Sequence, residues 1–456
     1  MDVIQSLCEI VGKQHVLLGE DARPYGQDFT NAYCASPLAV VRPNSTAQIS
    51  DIVKLGNTTG TAIVPISGNT GVVGGTYAEG AILLSMQRMN QLIGLRPSAR
   101  IAIVEAGCII ATLQDAAKAH ELIFPLSFGA CGSAMIGGAL STNAGGSNVL
   151  RYGNARALCL GLEAVLPSGE IMDLMSQLHK DNSGYDLKDL IIGAEGTLGI
   201  ITKAVLKLFP QPTNYSTALL AVPALADALH LLNTLQQQTG GAVEAFEYMP
   251  ASYFELYRAH FPDNRLPFQQ NHATNILVEI AGSSDTEHNL EAALEQMFEQ
   301  GQILDAVIAQ NEAQRQDIWA MREAAAEVIL SNPARVDADI CFGLDQIDDG
   351  LQRLEQAVAA LDPDARTTCV AHLGDGNIHF AVFPSPQSDM RPEQFSEAIE
   401  EVVGGLRGSF SAEHGIGLSK RGAMARHKDP VALAAMRQIK AALDPNNILN
   451  PGKVLP

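Results

Sequence analysis

Apolar residues in the first two hundred positions fall into short β-branched runs set between segments of helical spacing. Ala39-Val-Val41, Thr61-Ala-Ile-Val64, Ala81-Ile-Leu-Leu84 and Arg100-Ile-Ala-Ile-Val-Glu105 read as strands, because such side chains fit a pleated surface. Val3–Val11, the stretch after Ser45-Thr46 and residues 112–121 read as helices. In the second of these Ile49, Ile52 and Val53 make an apolar face, and Thr46 is the predicted N-cap. The texture changes at Pro210-Gln-Pro212. Beyond it, longer amphipathic helices are predicted at 225–237, 288–300, 314–330 and 347–361. They alternate with strand-like runs at 217–222, 275–280, 303–308 and 370–383, the pattern of helices on a largely antiparallel sheet. A last helix, 432–443, precedes Asp444-Pro-Asn-Asn-Ile-Leu-Asn-Pro-Gly452. The fold class predicted is α+β.

Between two of the early strands lies Pro65-Ile-Ser-Gly-Asn-Thr-Gly-Val-Val-Gly-Gly75, with four glycines and three small polar residues. Such a loop presents backbone N–H groups where Cβ atoms would block an anion. Its spacing fits neither G-x-G-x-x-G nor G-x-x-x-x-G-K-[ST], and alone it reads equally as a long turn or a phosphate cradle. A second tract runs from Phe124 through Phe128-Gly-Ala-Cys-Gly-Ser133, Ile136-Gly-Gly138 and Ser141-Thr-Asn-Ala-Gly-Gly146. A third is Ile192-Gly-Ala-Glu-Gly-Thr-Leu-Gly-Ile-Ile201. No period recurs and apolar residues are interleaved, which excludes collagen-like or linker character. Three such tracts point to an extended ligand lying against bare backbone.

A chain of 456 residues is long for one core, and two or three domains are expected. Fifty acidic residues against 30 basic ones give a formal charge of −20, which disfavours nucleic acid or an anionic membrane as partner. The seven cysteines show no C-x-x-C pair and read as reduced thiols, mostly buried. Met1-Asp-Val-Ile lacks a basic n-region, and no 18-residue apolar run occurs. A cytoplasmic protein with no transmembrane segment is expected.

The second constellation is polar. Residues 368–383 read as two strands around Asp375-Gly376, a two-residue hairpin signal. That turn would pair His372 with His379, and directly opposed residues share a face with Cβ atoms about 4.5–5.5 Å apart. Two imidazoles so placed suit one metal ion, with Glu413 of Ser411-Ala-Glu-His-Gly-Ile-Gly417 as a candidate third ligand. A His₂-carboxylate set with open positions fits a catalytic divalent ion such as zinc or manganese, though satisfied polar residues would read alike. His414 is a natural proton acceptor, and its alternative is polar packing ahead of Gly415 and Gly417. Arg322 in Trp319-Ala-Met-Arg-Glu323 is either an anion clamp or a surface salt bridge to Glu323 or Glu327.

Taken together, these residues resemble the FAD-dependent oxidoreductases of the vanillyl-alcohol-oxidase type, most closely the D-2-hydroxyacid dehydrogenase branch that includes D-2-hydroxyglutarate and D-lactate dehydrogenases. The resemblance covers nearly the whole chain. It rests on Ser67 to Gly75, Gly137-Gly138, Thr142 to Gly146, Leu150-Arg-Tyr-Gly153, Lys180 to Lys188, Gly193 to Thr202, His372 to His379, Glu413 to Gly417 and Asn450 to Lys453. It implies a two-lobed FAD-binding domain over 1–212, a substrate or cap domain with a largely antiparallel sheet over 213–410, and a segment 411–456 returning to the FAD domain. Ser67, Gly68, Asn69, Thr70 and Gly71 would cradle the pyrophosphate. Gly129, Ser133, Ile136, Gly137, Gly138, Thr142, Asn143, Gly145, Gly146, Glu195, Gly199, Ile200 and Ile201 would line the rest of the dinucleotide, with Asn450 and Lys453. Thr70-Gly71-Val72 supplies no histidine for covalent attachment, so FAD is expected to be non-covalent. His372, His379 and Glu413 resemble metal ligands, Asn377 a substrate contact, Arg322 the carboxylate-binding arginine and His414 the catalytic base. The mechanism implied has the metal polarising the hydroxyl, His414 taking its proton and the C2 hydride passing to flavin N5. Electrons would leave to a quinone, an electron-transfer flavoprotein or a cytochrome; a homodimer is compatible.

Hydroxyglutarate-specific relatives hold the distal carboxylate with a Thr one turn after the arginine and a Lys in the following strand. Here Ala326 and Asp337 stand in those places, unless Arg335 substitutes through a register slip of two. An acid in place of a base repels a second carboxylate, so a D-2-hydroxy acid lacking one is the expected substrate. Specificity for D-2-hydroxyglutarate is the alternative. A non-redox flavin-dependent transferase on the same scaffold is another, but no basic cluster for a phosphate is visible; a metal-dependent hydrolase with structural glycine tracts is the third.

Overall fold

The computed structural model describes residues 2–282 and 286–456; Met1, 283–285 and the side chains of 286–289, where the helix predicted at 288–300 begins, lie outside that description. The chain divides into two compact units, one of Met1–Gly145, Gly153–Gln211 and Glu413–Pro456, the other of Gly146–Tyr152 and Pro212–Ala412.

The first unit holds two main sheets. In one, Ala39–Val41, Ile82–Ser85 and Ile63–Ile66 lie parallel, with Val16–Leu17 antiparallel at the edge. Ala39 to Val41 and Ile82 to Leu84 are wholly buried, as parallel strands covered on both faces must be. The helix Thr46–Thr59 connects two of these strands. Its cap is Ser45, not the predicted Thr46: Ser45 is extended and its Oγ accepts from the Gln48 amide, while the Thr46 hydroxyl donates to Glu163 at 2.6 Å. The other sheet is antiparallel, in the order Leu92–Arg96, Ile101–Glu105, Ile200–Lys207, Cys159–Val165, Ile171–Leu174.

The second unit is built on seven antiparallel strands in the order Asp305–Ile308, Asn214–Val222, Thr274–Gly282, Val243–Pro250, Arg366–His372, Asn377–Phe383, Val336–Cys341. One face carries Leu220, Phe246, Val278, Phe380 and Val382, packed with Leu231, Leu354 and Phe395 from helices Ala228–Gln238, Ile347–Leu361 and Pro392–Gly405. The opposite face carries Leu219, Met249, Leu277 and Val370 under Tyr253, Ile318, Met321 and Val328. The helix predicted at 314–330 is two helices, Glu312–Glu323 and Ala325–Leu330, meeting at Ala324. Val243–Pro250 escapes a pattern reading because Glu244 and Glu247 interrupt it, yet both are buried. Glu244 is held by the short segment Gly146–Tyr152: Arg151 Nη1 donates to it at 2.8 Å and the Tyr152 hydroxyl donates to the same oxygen.

The hairpin differs from its predicted pairing. His372 pairs with Asn377, and His379 with Val370, around a four-residue turn at 373–376. Asp375 Oδ1 accepts the Asn377 amide at 3.1 Å, and Gly376 turns at φ +87 with its amide on the His372 carbonyl. Asp375-Gly376 therefore closes a longer loop than two residues. A shift of two leaves side-chain parity unchanged. The imidazoles still share a face, as diagonal neighbours with ring centroids 5.4 Å apart.

All seven cysteines are free; Cys108, Cys159 and Cys369 are buried, whereas Cys34 is exposed. Among the described residues no helix is long and apolar enough to cross a membrane. Gly376→Ala should lower stability by about 1–3 kcal/mol, seen as a lower denaturant midpoint, because the new Cβ would meet the Phe342 carbonyl oxygen at a left-handed position. An unchanged midpoint would show that the turn adapts.

Candidate functional site

Opposed residues on antiparallel strands share a face, and in the second unit this gathers polar groups. Glu247 opposes His372, Asn377 opposes both His372 and Cys341, and Asp339 opposes His379. All stand on the face that elsewhere carries Leu219, Leu277 and Val370. Glu247 is 1% exposed, and its carboxylate bridges two partners. Oε1 accepts from His372 Nδ1 at 2.9 Å and Oε2 from Arg322 Nε at 2.8 Å. Burial alone would raise its pKa, but the neighbouring His372 and Arg322 charges and their hydrogen bonds hold it below the usual carboxylate range. It is ionised.

Arg322 comes from Glu312–Glu323, which docks on this face through Ile318 and Met321. It is buried and paired inward to Glu247, so the surface salt bridge is not its role. Its Nη2 is buried and finds no hydrogen-bond partner among the described residues. Asn377 Nδ2 donates to Asp339 Oδ1 at 2.9 Å and to the Ile340 carbonyl at 3.1 Å, while its Oδ1 is likewise buried without a partner. A buried donor and a buried acceptor left over on one sheet face call for a ligand that has both. His379 Nδ1 stands 3.9 Å from Asp339 Oδ1.

Sequence reasoning missed Glu247 and Asp339. The available signal was a carboxylate inside an apolar strand, Ala245-Phe-Glu-Tyr-Met249 and Val336-Asp-Ala-Asp-Ile340, since a buried charge needs a partner. Ala326 and Asp337 are not brought into this group: both are exposed, and Asp337 accepts from Arg335 Nε at 2.8 Å. Arg335 Nη1 is engaged by the carbonyls of Leu330 and Asn332, so its guanidinium is held locally.

In the first unit the glycine tracts divide by what surrounds them. A Cβ on Gly68 would land on the Ser133 carbonyl oxygen, and one on Gly137 would come within 2.7 Å of Ala106 Cβ. Those two serve close packing. Gly71, Gly129 and Gly132 have nothing within 4 Å of an added Cβ, so bare backbone there faces open space. Asn69, Asn143, Glu195 and Asn450 all take left-handed backbone angles, a cluster of strain at these loops. Asn69 Nδ2 donates to the Gln27 carbonyl, Asn143 Oδ1 accepts the Arg156 amide, and the Thr142 hydroxyl bonds back to the Gly138 carbonyl. Ile136, Ile200 and Ile201 are buried in the core, and Gly199 packs against Ile191. Asn450 Nδ2 ties the carbonyls of Gly75 and Glu195, and its Oδ1 is buried without a partner among the described residues. Lys453 is buried with Nζ 5.9 Å from the Tyr77 ring centroid, and burial together with Arg421 pushes its ammonium down to about 8.

Glu195 spends its carboxylate on the chain itself. It accepts the amides of Ile416 and Gly417 at 2.7 and 2.8 Å and so fixes the loop Glu413-His-Gly415. Gly415, at φ +79, leaves no room for a Cβ beside that carboxylate. This loop follows directly on Ala412, whose amide is bonded to the Asp339 carbonyl. Gly146, predicted with the cofactor loops, falls in the Gly146–Tyr152 segment of the second unit.

Two family models match: an FAD binding domain over residues 37–175 and the C-terminal domain of FAD linked oxidases over 211–454. The mitochondrial D-2-hydroxyglutarate dehydrogenase of Bos taurus is 36% identical over 100% of this chain and 84% of its own. The D-2-hydroxyglutarate dehydrogenase of Stutzerimonas stutzeri (strain A1501) is 34% identical over 99% of this chain and 98% of its own. Among solved structures, p-cresol methylhydroxylase aligns with a TM-score of 0.78 at 18% identity over 99% of this chain and 96% of that one. An alkyldihydroxyacetonephosphate synthase aligns at 0.74 and 17% identity over 99% and 84%. At such identities the solved structures show the fold alone, an α+β architecture, while the two matching family models place the chain among the FAD-linked oxidases.

The two classes of glycine are separable by experiment. Gly68→Ala should lose about 1–3 kcal/mol of stability through overpacking. Gly71→Ala and Gly129→Ala should change stability by less than about 0.5 kcal/mol yet purify with less FAD per chain, read from flavin absorbance. Full flavin content in both would mean that these backbones do not face the cofactor.

Proposed function

We propose that this chain, which belongs to the FAD-linked oxidases on the branch of the D-2-hydroxyglutarate dehydrogenases, oxidises a D-2-hydroxy acid to the corresponding 2-oxo acid. The observation that carries the reading is the buried Nη2 of Arg322, without a partner among the described residues, beside the sheet face that also bears His372 and His379. A guanidinium with its Nε already held by Glu247 is a preset fork for a carboxylate.

FAD fits the first unit on two counts, the bare backbone at Gly71, Gly129 and Gly132 and the buried lone acceptor of Asn450. When bound, it supplies the acceptor for the substrate's hydride; Thr70-Gly71-Val72 holds no histidine, and the attachment is non-covalent. His372 and His379, with Glu413 one residue beyond Ala412, are the proposed ligands of a divalent zinc or manganese ion, which when bound supplies a Lewis acid. Arg322 holds the substrate carboxylate, and Asn377 offers its Oδ1 as an acceptor that orients the substrate. His414 takes the proton from the substrate's 2-hydroxyl oxygen, its loop kept in place by Glu195. With FAD bound, a separate acceptor, whether a quinone, an electron-transfer flavoprotein or a cytochrome, would take the electrons.

Within this activity the preferred substrate carries one carboxylate. Ala326 offers no hydrogen bond, Asp337 is an acid, and Arg335 is occupied by Asp337 and two carbonyls. A second carboxylate would meet no unengaged cation from these residues.

The purified protein should be yellow and bleach anaerobically with a D-2-hydroxy acid but not its L-enantiomer. Comparing kcat/KM for D-lactate and D-2-hydroxyglutarate tests the specificity; a large preference for the diacid refutes it. Arg322→Lys should raise KM about 10–100-fold with less effect on kcat, through loss of the charge-assisted fork. Full activity after chelation would remove the metal from the scheme.

A further inference from the structure

Glu247 touches both Arg322 and His372, and its two oxygens do different work. Oε2 takes the Nε–H of Arg322 at 2.8 Å, and Oε1 contacts Nδ1 of His372 at 2.9 Å. An ionised carboxylate can only accept. Each contact therefore fixes which part of the partner is used up. In Arg322 the Nε is consumed and the buried Nη2 remains without a partner among the described residues. His372 turns its Nδ1 to that acceptor, so in the neutral ring the proton is on Nδ1 and the lone pair is on Nε2. Metal-ligating histidines depend on such a contact to set tautomer and ring orientation.

We propose that Glu247 is a positioning residue: from the middle strand of the sheet it aims Arg322 Nη2 at the substrate carboxylate and the Nε2 lone pair of His372 at a divalent cation. This rests on the proposed function for the identity of the two ligands, but not for the geometry. Position 247 acts on both partners at once because it opposes His372 directly across the strands and lies under the helix that carries Arg322. The carboxylate is 1% exposed, so water does not substitute for it.

Glutamine is the informative replacement. It has the same shape, but one acceptor and one donor end where the site presents two donors. If the carbonyl end stays on Arg322, the amide N–H faces His372 and forces its proton to Nε2. That places a hydrogen where the cation would bind.

The experiment uses full-length flavoprotein with ¹⁵N-labelled histidine, treated with a chelator, the His372 signals being assigned by their loss in His372→Gln. The wild type should show the Nδ1–H tautomer and Glu247→Gln the Nε2–H tautomer. Titrated with zinc against a chromophoric chelator, Glu247→Gln should bind about 10–100-fold more weakly. Its KM for D-lactate should rise more than its kcat falls, with flavin content unchanged. Glu247→Asp, which keeps an acceptor-only group, should retain the Nδ1–H tautomer and recover zinc affinity relative to Glu247→Gln; it also stands in if the glutamine variant does not fold. An Nε2–H tautomer in the wild type, or wild-type tautomer and zinc affinity in Glu247→Gln, would overturn the proposal. Wild-type protein that oxidises no hydroxy acid but shows the tautomer switch would remove the proposed function and leave the role of Glu247 standing.

Discussion

A pleated sheet gives its side chains two faces and no third choice, and the site in the second unit follows from that constraint. Once Val243–Pro250, Arg366–His372, Asn377–Phe383 and Val336–Cys341 pair as they do, Glu247, His372, Asn377, His379 and Asp339 must stand together. The same parity delivers Leu219, Leu277 and Val370 to that face, where the arginine-bearing helix packs on apolar neighbours. Core and chemistry are thus laid out by one alternation. A slip of one residue in any pairing would send a charged group into the apolar face opposite, and that penalty fixes the register more firmly than the hairpin turn does.

Much of this was legible in the sequence where the signal is periodic. Val3–Val11 and Ile347–Leu361 match their apolar spacing to the residue, because one face of each is buried and the other wet. The shared face of His372 and His379 was legible as well, although the turn between them is longer than Asp375-Gly376 suggested; only the parity mattered, and two residues of slip preserve it. What stayed hidden is what periodicity treats as noise. Glu244 and Glu247 look like solvent-facing breaks in a strand, whereas each is buried against an arginine distant in sequence, Arg151 and Arg322. Ser45 and Thr46 are chemically near-equivalent caps, and the choice between them is made by Glu163, more than a hundred residues on.

The glycine-rich loops show one residue type in two employments. At Gly68 and Gly137 the missing Cβ makes room for the protein's own backbone and side chains. At Gly71, Gly129 and Gly132 nothing lies within 4 Å of where a Cβ would stand, which leaves the room that the proposed cofactor needs. Left-handed Asn69, Asn143, Glu195 and Asn450 border these loops; the three asparagines are held by side-chain bonds to main-chain groups, and the Glu195 carbonyl accepts one of them. Such strain persists only where surrounding contacts over-determine it.

Seven residues from the middle of the first unit's sequence, Gly146–Tyr152, belong by their contacts to the second. Arg151 pairs with Glu244, and the Tyr152 hydroxyl donates to it, in a strand that begins almost a hundred positions later. A gene fragment cut at the visible boundary, 212–412, would carry the whole seven-stranded sheet but strip that carboxylate of both partners and of the segment that covers it. The cap is therefore not a detachable cassette, and grafting it between relatives demands that the short insert travel with it.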